Sequence, residues 1–183
     1  MLLALSRLES PVGRVIFAAD DSILRALEFL ESEGELRARV ERSIPGARFA
    51  KSGGHSFVAD ALGAYFSGEV DALERLPAEG AGTLFQRKVW AALRTIPPGR
   101  TLSYRALAQQ IGCPGSFRAV GAANGQNPIS LVVPCHRVIA ADGSLTGYLG
   151  GLQRKHALLT FEASGRVIDA NWQGRQPEQL ALL

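Results

Sequence analysis

The chain opens on apolar stretches, alternating or β-branched, that short polar turns separate. Leu2 to Leu8, Arg14 to Ala19 and Ile23 to Phe29 read as three strands, punctuated by Ser10-Pro11-Val12-Gly13 and by Asp20-Asp21. The period then changes: Leu36, Val40 and Ile44 fall four apart, which predicts a helix stopped by Pro45-Gly46. A further strand is predicted around Phe49, closed by Gly53-Gly54. Phe57, Val58, Ala61, Leu62, Tyr65 and Phe66 trace one face of a second helix that ends near Gly68, and His55 at its start is read as structural or solvated. Residues 77–82, Pro-Ala-Glu-Gly-Ala-Gly, hold little that can pack and read as a linker.

Beyond it the pattern turns helical. Thr83-Leu84-Phe85-Gln86 fits a capping box, Phe85, Val89, Leu93 and Ile96 form the buried face behind it with Trp90 as core, and Pro97-Pro98-Gly99 ends the helix. Ser103 is placed to cap a helix through Tyr104, Leu107 and Ile111, and Ser116 to cap another from Phe117 to Asn124. Two short helices joined by a turn containing Gly112 predict a helix-turn-helix, with Cys113 structural in the turn. The second helix is built mostly from small residues. Ala119, Gly121 and Ala122, beside Arg118, leave its backbone free to approach either a groove of DNA or a neighbouring helix.

Ile129 to Val133 predicts a buried strand ended by Pro134, Asp142-Gly143 is a turn signal, and the last helix runs from Leu152 to about Glu162. Residues 166–183, including Trp172, show no period and read as a loosely attached tail. The fold class is therefore α+β within the broad α/β class. A small N-terminal α/β domain over residues 1–76 precedes the linker at 77–82, and a mainly helical C-terminal domain spans 83–165.

Composition changes this picture in one respect. With 183 residues and 46% apolar content the chain can bury a real core, and the net charge of +3 is modest. The charge is divided, however: residues 83–162 carry nine Lys/Arg against two acids, whereas residues 1–82 carry nine against thirteen. The basic half points to a polyanionic partner, the plainer reading being a solvated basic face. Two cysteines make no disulfide framework and no C-x-x-C pair, so both read as reduced thiols, with no structural zinc and no cofactor expected. No secretory signal and no membrane-length apolar run is present, and a cytoplasmic location is expected.

The candidate chemistry lies in Pro134-Cys135-His136-Arg137. A cysteine after a buried strand is either a small core residue or a reactive thiol at the edge of a cleft. His136 and Arg137 place two potential positive charges beside it, which favours a thiolate. Neighbouring residues of an extended chain face opposite ways, so His136 reaches Cys135 only through a bend after Pro134 or through a water molecule.

The run from Asn127 to Val138, N-P-x-x-x-x-V-P-C-H-R-V, the loop Gly147-Tyr148-Leu149-Gly150-Gly151 and Arg118-Ala119-Val120-Gly121 resemble the O6-alkylguanine-DNA alkyltransferases in motif order and spacing. The close match covers roughly residues 83–162. The resemblance implies single-use transfer of an alkyl group from O6-alkylguanine in DNA to Cys135, a thioether that no second thiol displaces, and leaves O4-alkylthymine open. It gives His136 the role of a base acting through water and held by Glu162, Asn127 the bracing of the reactive segment, and Tyr104 contact with the base and its 3′ phosphate. Arg118 fills the position the extruded base vacates, on a helix entering the minor groove. Tyr148, Leu149 and Gly150 close over the base, the Leu149 amide donating to O6 and the Val138 carbonyl reading the guanine amino group. Leu149 stands where some members carry serine or arginine, which bears on bulky alkyl groups. The implied partner is double-stranded DNA containing O6-alkylguanine, bound by a monomer that can cluster along it, with no membrane and no metal.

Three other readings compete: a non-catalytic binder of alkylated bases, a thiol-sensing helix-turn-helix regulator, and a thiol hydrolase. The first carries tryptophan in place of Cys135, the second needs an effector domain, and the third fits poorly with adjacent Cys135 and His136.

Overall fold

The computed structural model describes residues 1–50, 56–166 and 168. His55 and, apart from Arg166 and Ile168, the tail with Trp172 lie outside the described residues. The three N-terminal stretches form strands β1 (Leu2–Ser10), β2 (Gly13–Ala19) and β3 (Leu24–Glu28), joined as antiparallel neighbours. Helix α1 (Glu33–Ser43), capped by the Ser32 side chain, carries the chain across one face, so that β4 (Arg48–Ala50) returns parallel to β1. The sheet order is β3-β2-β1-β4.

The two-residue period of β2 explains how this sheet is used. Ile16 and Ala18 face α1 with Leu36 and Val40, whereas Val15, Phe17 and Ala19 face a larger core on the other side. That larger core runs through both halves of the chain. It joins Phe17, Leu27, Leu62 and Tyr65 of the sheet and of α2 (Ser56–Phe66) to Val89 of α3 (Leu84–Leu93) and Leu107 of α4 (Tyr104–Gln110). Val120 of α5 (Phe117–Gly125) and Leu158 and Phe161 of α6 (Leu152–Ser164) complete it.

Residues 77–82 carry more packing than their composition promises. The Leu24 amide donates to the Pro77 carbonyl at 2.9 Å and the Glu79 amide donates to Leu24 at 3.0 Å, so the segment lies along β3. A side chain at Gly80 would come within 2.7 Å of Pro128 and one at Gly82 within 2.5 Å of Trp90, so glycine serves close approach here rather than slack.

Two expectations are corrected. The apolar run 129–133 is buried but is not a strand: only Ile129 bridges Leu27, and the chain then folds into tight turns with Leu131 at φ 68°. Burial and β-branching are satisfied equally by a strand or by a turn whose backbone groups find side-chain partners, and Asn127 supplies those partners. Ser116 precedes α5 with φ −99° and ψ 23°, outside the extended region an N-cap residue adopts, and makes no side-chain cap, unlike Thr83, whose capping box with Gln86 forms as expected, and Ser103, which caps Ala106 at 3.1 Å.

Candidate active site

Asn127 builds the segment that carries the cysteine. Its Nδ2 donates to the Val133 carbonyl at 2.8 Å and to Cys135 Sγ at 3.2 Å, while its Oδ1 accepts from the Ile129 amide at 3.0 Å. One amide thus takes the place of a neighbouring strand for a buried turn and fixes the sulfur. After Pro134 the chain makes a 3₁₀ turn, Cys135–Arg137, which is the bend that an extended segment lacks. Cys135 is free and only 6% exposed, whereas Cys113 is half-buried in the α4–α5 turn.

The two charges beside the sulfur do not serve it in the manner the sequence suggests. Arg137 turns away to clasp Glu162 with both Nε and Nη2, at 2.9 and 2.8 Å, and His136 Nε2 lies 2.9 Å from Glu162 Oε1. The Tyr65 hydroxyl donates to the same oxygen at 2.8 Å. Burial alone would push the Glu162 carboxyl up, but His136 and Arg137 hold it well below the usual carboxylate range. Facing an ionised Glu162, His136 carries a proton on Nε2, and in the neutral ring Nδ1 is then the acceptor, buried and without a protein partner. Burial also pushes the Cys135 thiol up, opposed by the Asn127 hydrogen bond and by Lys155.

Lys155 is the residue that sequence reasoning missed. It is fully buried, and its Nζ donates to the Val138 carbonyl at 2.6 Å and to Thr146 at 2.8 Å. A signal was present: Lys155, Leu159 and Glu162 recur at i, i+4 and i+7 along α6, putting two charges in its apolar stripe. Burial lowers the Lys155 amine to about 8, with Cys135 pulling it back up. The charge that favours the thiolate is therefore present below pH 8 and lost above it. Lys155→Met is expected to slow reaction of the Cys135 thiol about tenfold below pH 8, the equivalent of one pKa unit at the thiol, and to converge on wild type above it. Rates of Cys135 alkylation measured across pH check this; a constant ratio of the two rates at all pH would remove the electrostatic role. Because the unfolded lysine titrates near 10.4, wild-type stability should rise with pH between about 8 and 10, and the variant should lose that rise.

The loop 146–151 covers the thiol. Asn124, Asn127, Ser130, Cys135, Gly147, Tyr148 and Leu149 surround a cavity of about 10 Å³, room for roughly one water molecule. The Tyr148 hydroxyl is buried, with Ser130 nearby but outside hydrogen-bonding geometry, and burial raises its phenol well above the ordinary value. Leu149 lines the cavity while leaving 69% of its surface exposed. Val138 and Gly150 stand outside this wall. The Val138 carbonyl receives Lys155, and Gly150 sits behind Tyr148 against Phe29, its carbonyl taken by Arg154. Arg154 also donates to Val12 at 2.6 Å and stacks 4.3 Å from the Phe29 ring centre, so the loop is tied to the N-terminal half. A larger groove of about 890 Å³ beside α1 shares Asn127 and Leu149 with the cavity but contains no thiol.

Tyr104 starts α4 and lies between Gly121 and the loop, its hydroxyl 3.4 Å from the Thr146 carbonyl. On α5, Val120, Ala123 and Asn124 are buried, and Arg118, Ala119 and Ala122 are exposed with Gly121 between them. Arg118 rests 5.8 Å from the ring centre of exposed Phe117. Among the described residues no group of three His, Cys, Asp or Glu side chains converges as a metal site requires, and no helix is long and apolar enough to cross a membrane.

The arrangement is a helix pair with a small-residued outer face set against a buried thiol, a histidine and a carboxylate, and comparison with known proteins places it in a class of DNA-binding proteins. The family described as 6-O-methylguanine DNA methyltransferase, DNA binding domain, matches residues 84–164. A methylated-DNA–protein-cysteine methyltransferase of Shigella flexneri is 56% identical over 85% of this chain and 93% of its own length. That of Mycobacterium tuberculosis strain H37Rv is 47% identical over 88% and 93%. The crystal structure of Mycobacterium tuberculosis OGT in complex with DNA aligns with a TM-score of 0.74 at 43% identity, covering 90% of this chain and 94% of that one. The chain belongs to the methylated-DNA–protein-cysteine methyltransferase family.

Proposed function

We propose that this protein repairs O6-alkylguanine in double-stranded DNA by moving the alkyl group onto Cys135, once per molecule. The observation that carries the reading is a thiol held by Asn127 in the wall of a closed cavity, next along the chain from a histidine whose Nδ1 has no protein partner and whose Nε2 lies 2.9 Å from Glu162.

In this reading the thiol rests protonated, because burial raises it. Its proton passes through a water molecule to His136 Nδ1, and Lys155 steadies the sulfur anion. The sulfur attacks the alkyl carbon in line with O6; the carbon–oxygen bond breaks and its electron pair leaves with guanine. The base departs with a proton, delivered through the Tyr104 phenol, which burial keeps protonated. The net change moves the alkyl group from O6 to sulfur and the thiol proton to guanine. A thioether has no leaving group for water or a second thiol, so the protein is consumed.

The cavity in its closed form is too small for a purine, so loop 146–151 opens from its Tyr104, Lys155 and Arg154 anchors to admit the base. Unstacking the nucleotide costs a few kcal/mol, less for a mispaired base. The exposed small face of α5 lies in the minor groove, and Arg118 leaves Phe117 to occupy the gap. One copy binds each lesion, copies can gather along one DNA, and the reduced thiols suit the cytoplasm.

A limiting amount of protein offered excess O6-methylguanine duplex is expected to stop at one lesion per molecule. Arg118→Ala should reach the same plateau more slowly on duplex, with little change on the free base. Many lesions repaired per molecule would rule out the single-use mechanism, and equal slowing on both substrates would remove the role of Arg118.

A further inference from the structure

Asn124 holds a buried acceptor that nothing in the mechanism uses. It is 2% exposed, lies near the end of α5 and lines the cavity that contains Cys135. Its Nδ2 donates to the Cys135 carbonyl at 3.4 Å, which fixes the orientation of the amide, since the reverse would set oxygen against oxygen. Oδ1 is left buried with no partner. Asn127, on the same wall, differs: its oxygen and its nitrogen are both engaged. Three buried side-chain atoms without partners are found among the described residues, Asn124 Oδ1, His136 Nδ1 and the Tyr148 hydroxyl. His136 Nδ1 has a part in the proton relay and the hydroxyl can turn to either role; Asn124 Oδ1 can only accept.

The chemistry of the substrate supplies the counterpart. O6-alkylguanine carries no hydrogen on N1, and N3, N7 and O6 are acceptors, so its one hydrogen-bond donor is the 2-amino group. The Val138 carbonyl already receives Lys155 Nζ at 2.6 Å on one of its two acceptor positions, so it can take at most one of the two amino hydrogens and the other needs a further acceptor. We propose that Asn124 Oδ1 accepts a hydrogen bond from the 2-amino group of the extruded base and makes the pocket selective for guanine over purines that lack it. A site with a buried acceptor rejects an analogue that leaves it unpaired, whereas an apolar wall would not. The inference rests on the alkylguanine reading above.

The test compares single-turnover transfer from duplexes carrying O6-methylguanine or O6-methylhypoxanthine, which differ only in the 2-amino group. Wild type is expected to prefer guanine about tenfold or more. In Asn124→Leu, of similar volume, that preference should fall toward unity, and Asn124→Ala offers a second variant should the larger apolar side chain impair folding. Comparing ratios cancels the intrinsic reactivity of the two bases. A wild type indifferent to the amino group, or a folded variant that keeps the wild-type ratio, would overturn the assignment to Asn124 while leaving alkyl transfer intact. Transfer from neither duplex by wild type would overturn the alkylguanine reading, and this inference with it.

Discussion

Duplex DNA containing O6-methylguanine is expected to leave one methyl group on Cys135 and none on Cys113, while Cys135→Ala binds the same duplex and acquires no methyl group. The two thiols differ by environment rather than by accessibility. Cys113 is the more exposed, but it sits in the α4–α5 turn packed against the core, its sulfur 3.7 Å from the Ile111 carbonyl. Cys135 faces the cavity with Asn127 on its sulfur and Lys155 near enough to favour the anion. The variant should fold, because Asn127 keeps its bonds to Val133 and Ile129 when the sulfur is gone, and Arg118 and the outer face of α5 are untouched. Peptide mapping after exposure to methylated duplex, with a binding titration of the variant, checks both halves. Methyl on Cys113 would refute the assignment, and loss of binding together with transfer would make Cys135 a structural residue.

Glu162→Gln should have the second large effect, on stability and on rate together. The carboxylate is buried against the Arg137 guanidinium, and removing its charge leaves that cation in the interior unpaired, at a cost of about 3–5 kcal/mol. The sign with pH follows from the depressed carboxyl. The stabilisation is fully present above the unfolded value near 4.3 and is lost as pH falls through the much lower folded value. Wild type should therefore weaken on acidification where the variant, lacking the group, shows a flatter acid limb. Transfer should fall by about a hundredfold or more at a temperature where the variant is folded, because the amide oxygen still accepts from His136 Nε2–H but no longer supplies the negative charge that makes Nδ1 a strong base. Tyr65→Phe removes a donor from the same carboxylate and serves as the control, costing about 1 kcal/mol without the change in rate. Denaturant melts across pH and single-turnover rates separate the two effects; a variant folded and as fast as wild type would leave Glu162 with a structural role alone.

Much of the molecule was legible in its pattern. The three N-terminal strands, the four-residue stripe of α1, the capping box of α3 and the small residues of α5 are local signals, and each produced its element. The run from 129 to 133 misled, because burial and β-branching do not distinguish a strand from a turn braced by a side chain. Residues 77–82 misled for a related reason: glycine marks both slack chain and close packing, and only the neighbour, here Trp90, tells which.

By itself the sequence determined which groups are available: one motif-borne thiol, its histidine, the bracing asparagine, a basic half and a helix with a bare outer face. Only the tertiary structure decided which charge meets which. Arg137, one residue from His136, spends its charge on Glu162, while Lys155, twenty positions beyond Cys135, supplies the field at the sulfur. The reason is that the interaction of two charges depends on their distance and their removal from water, and chain folding sets both without regard to separation along the sequence.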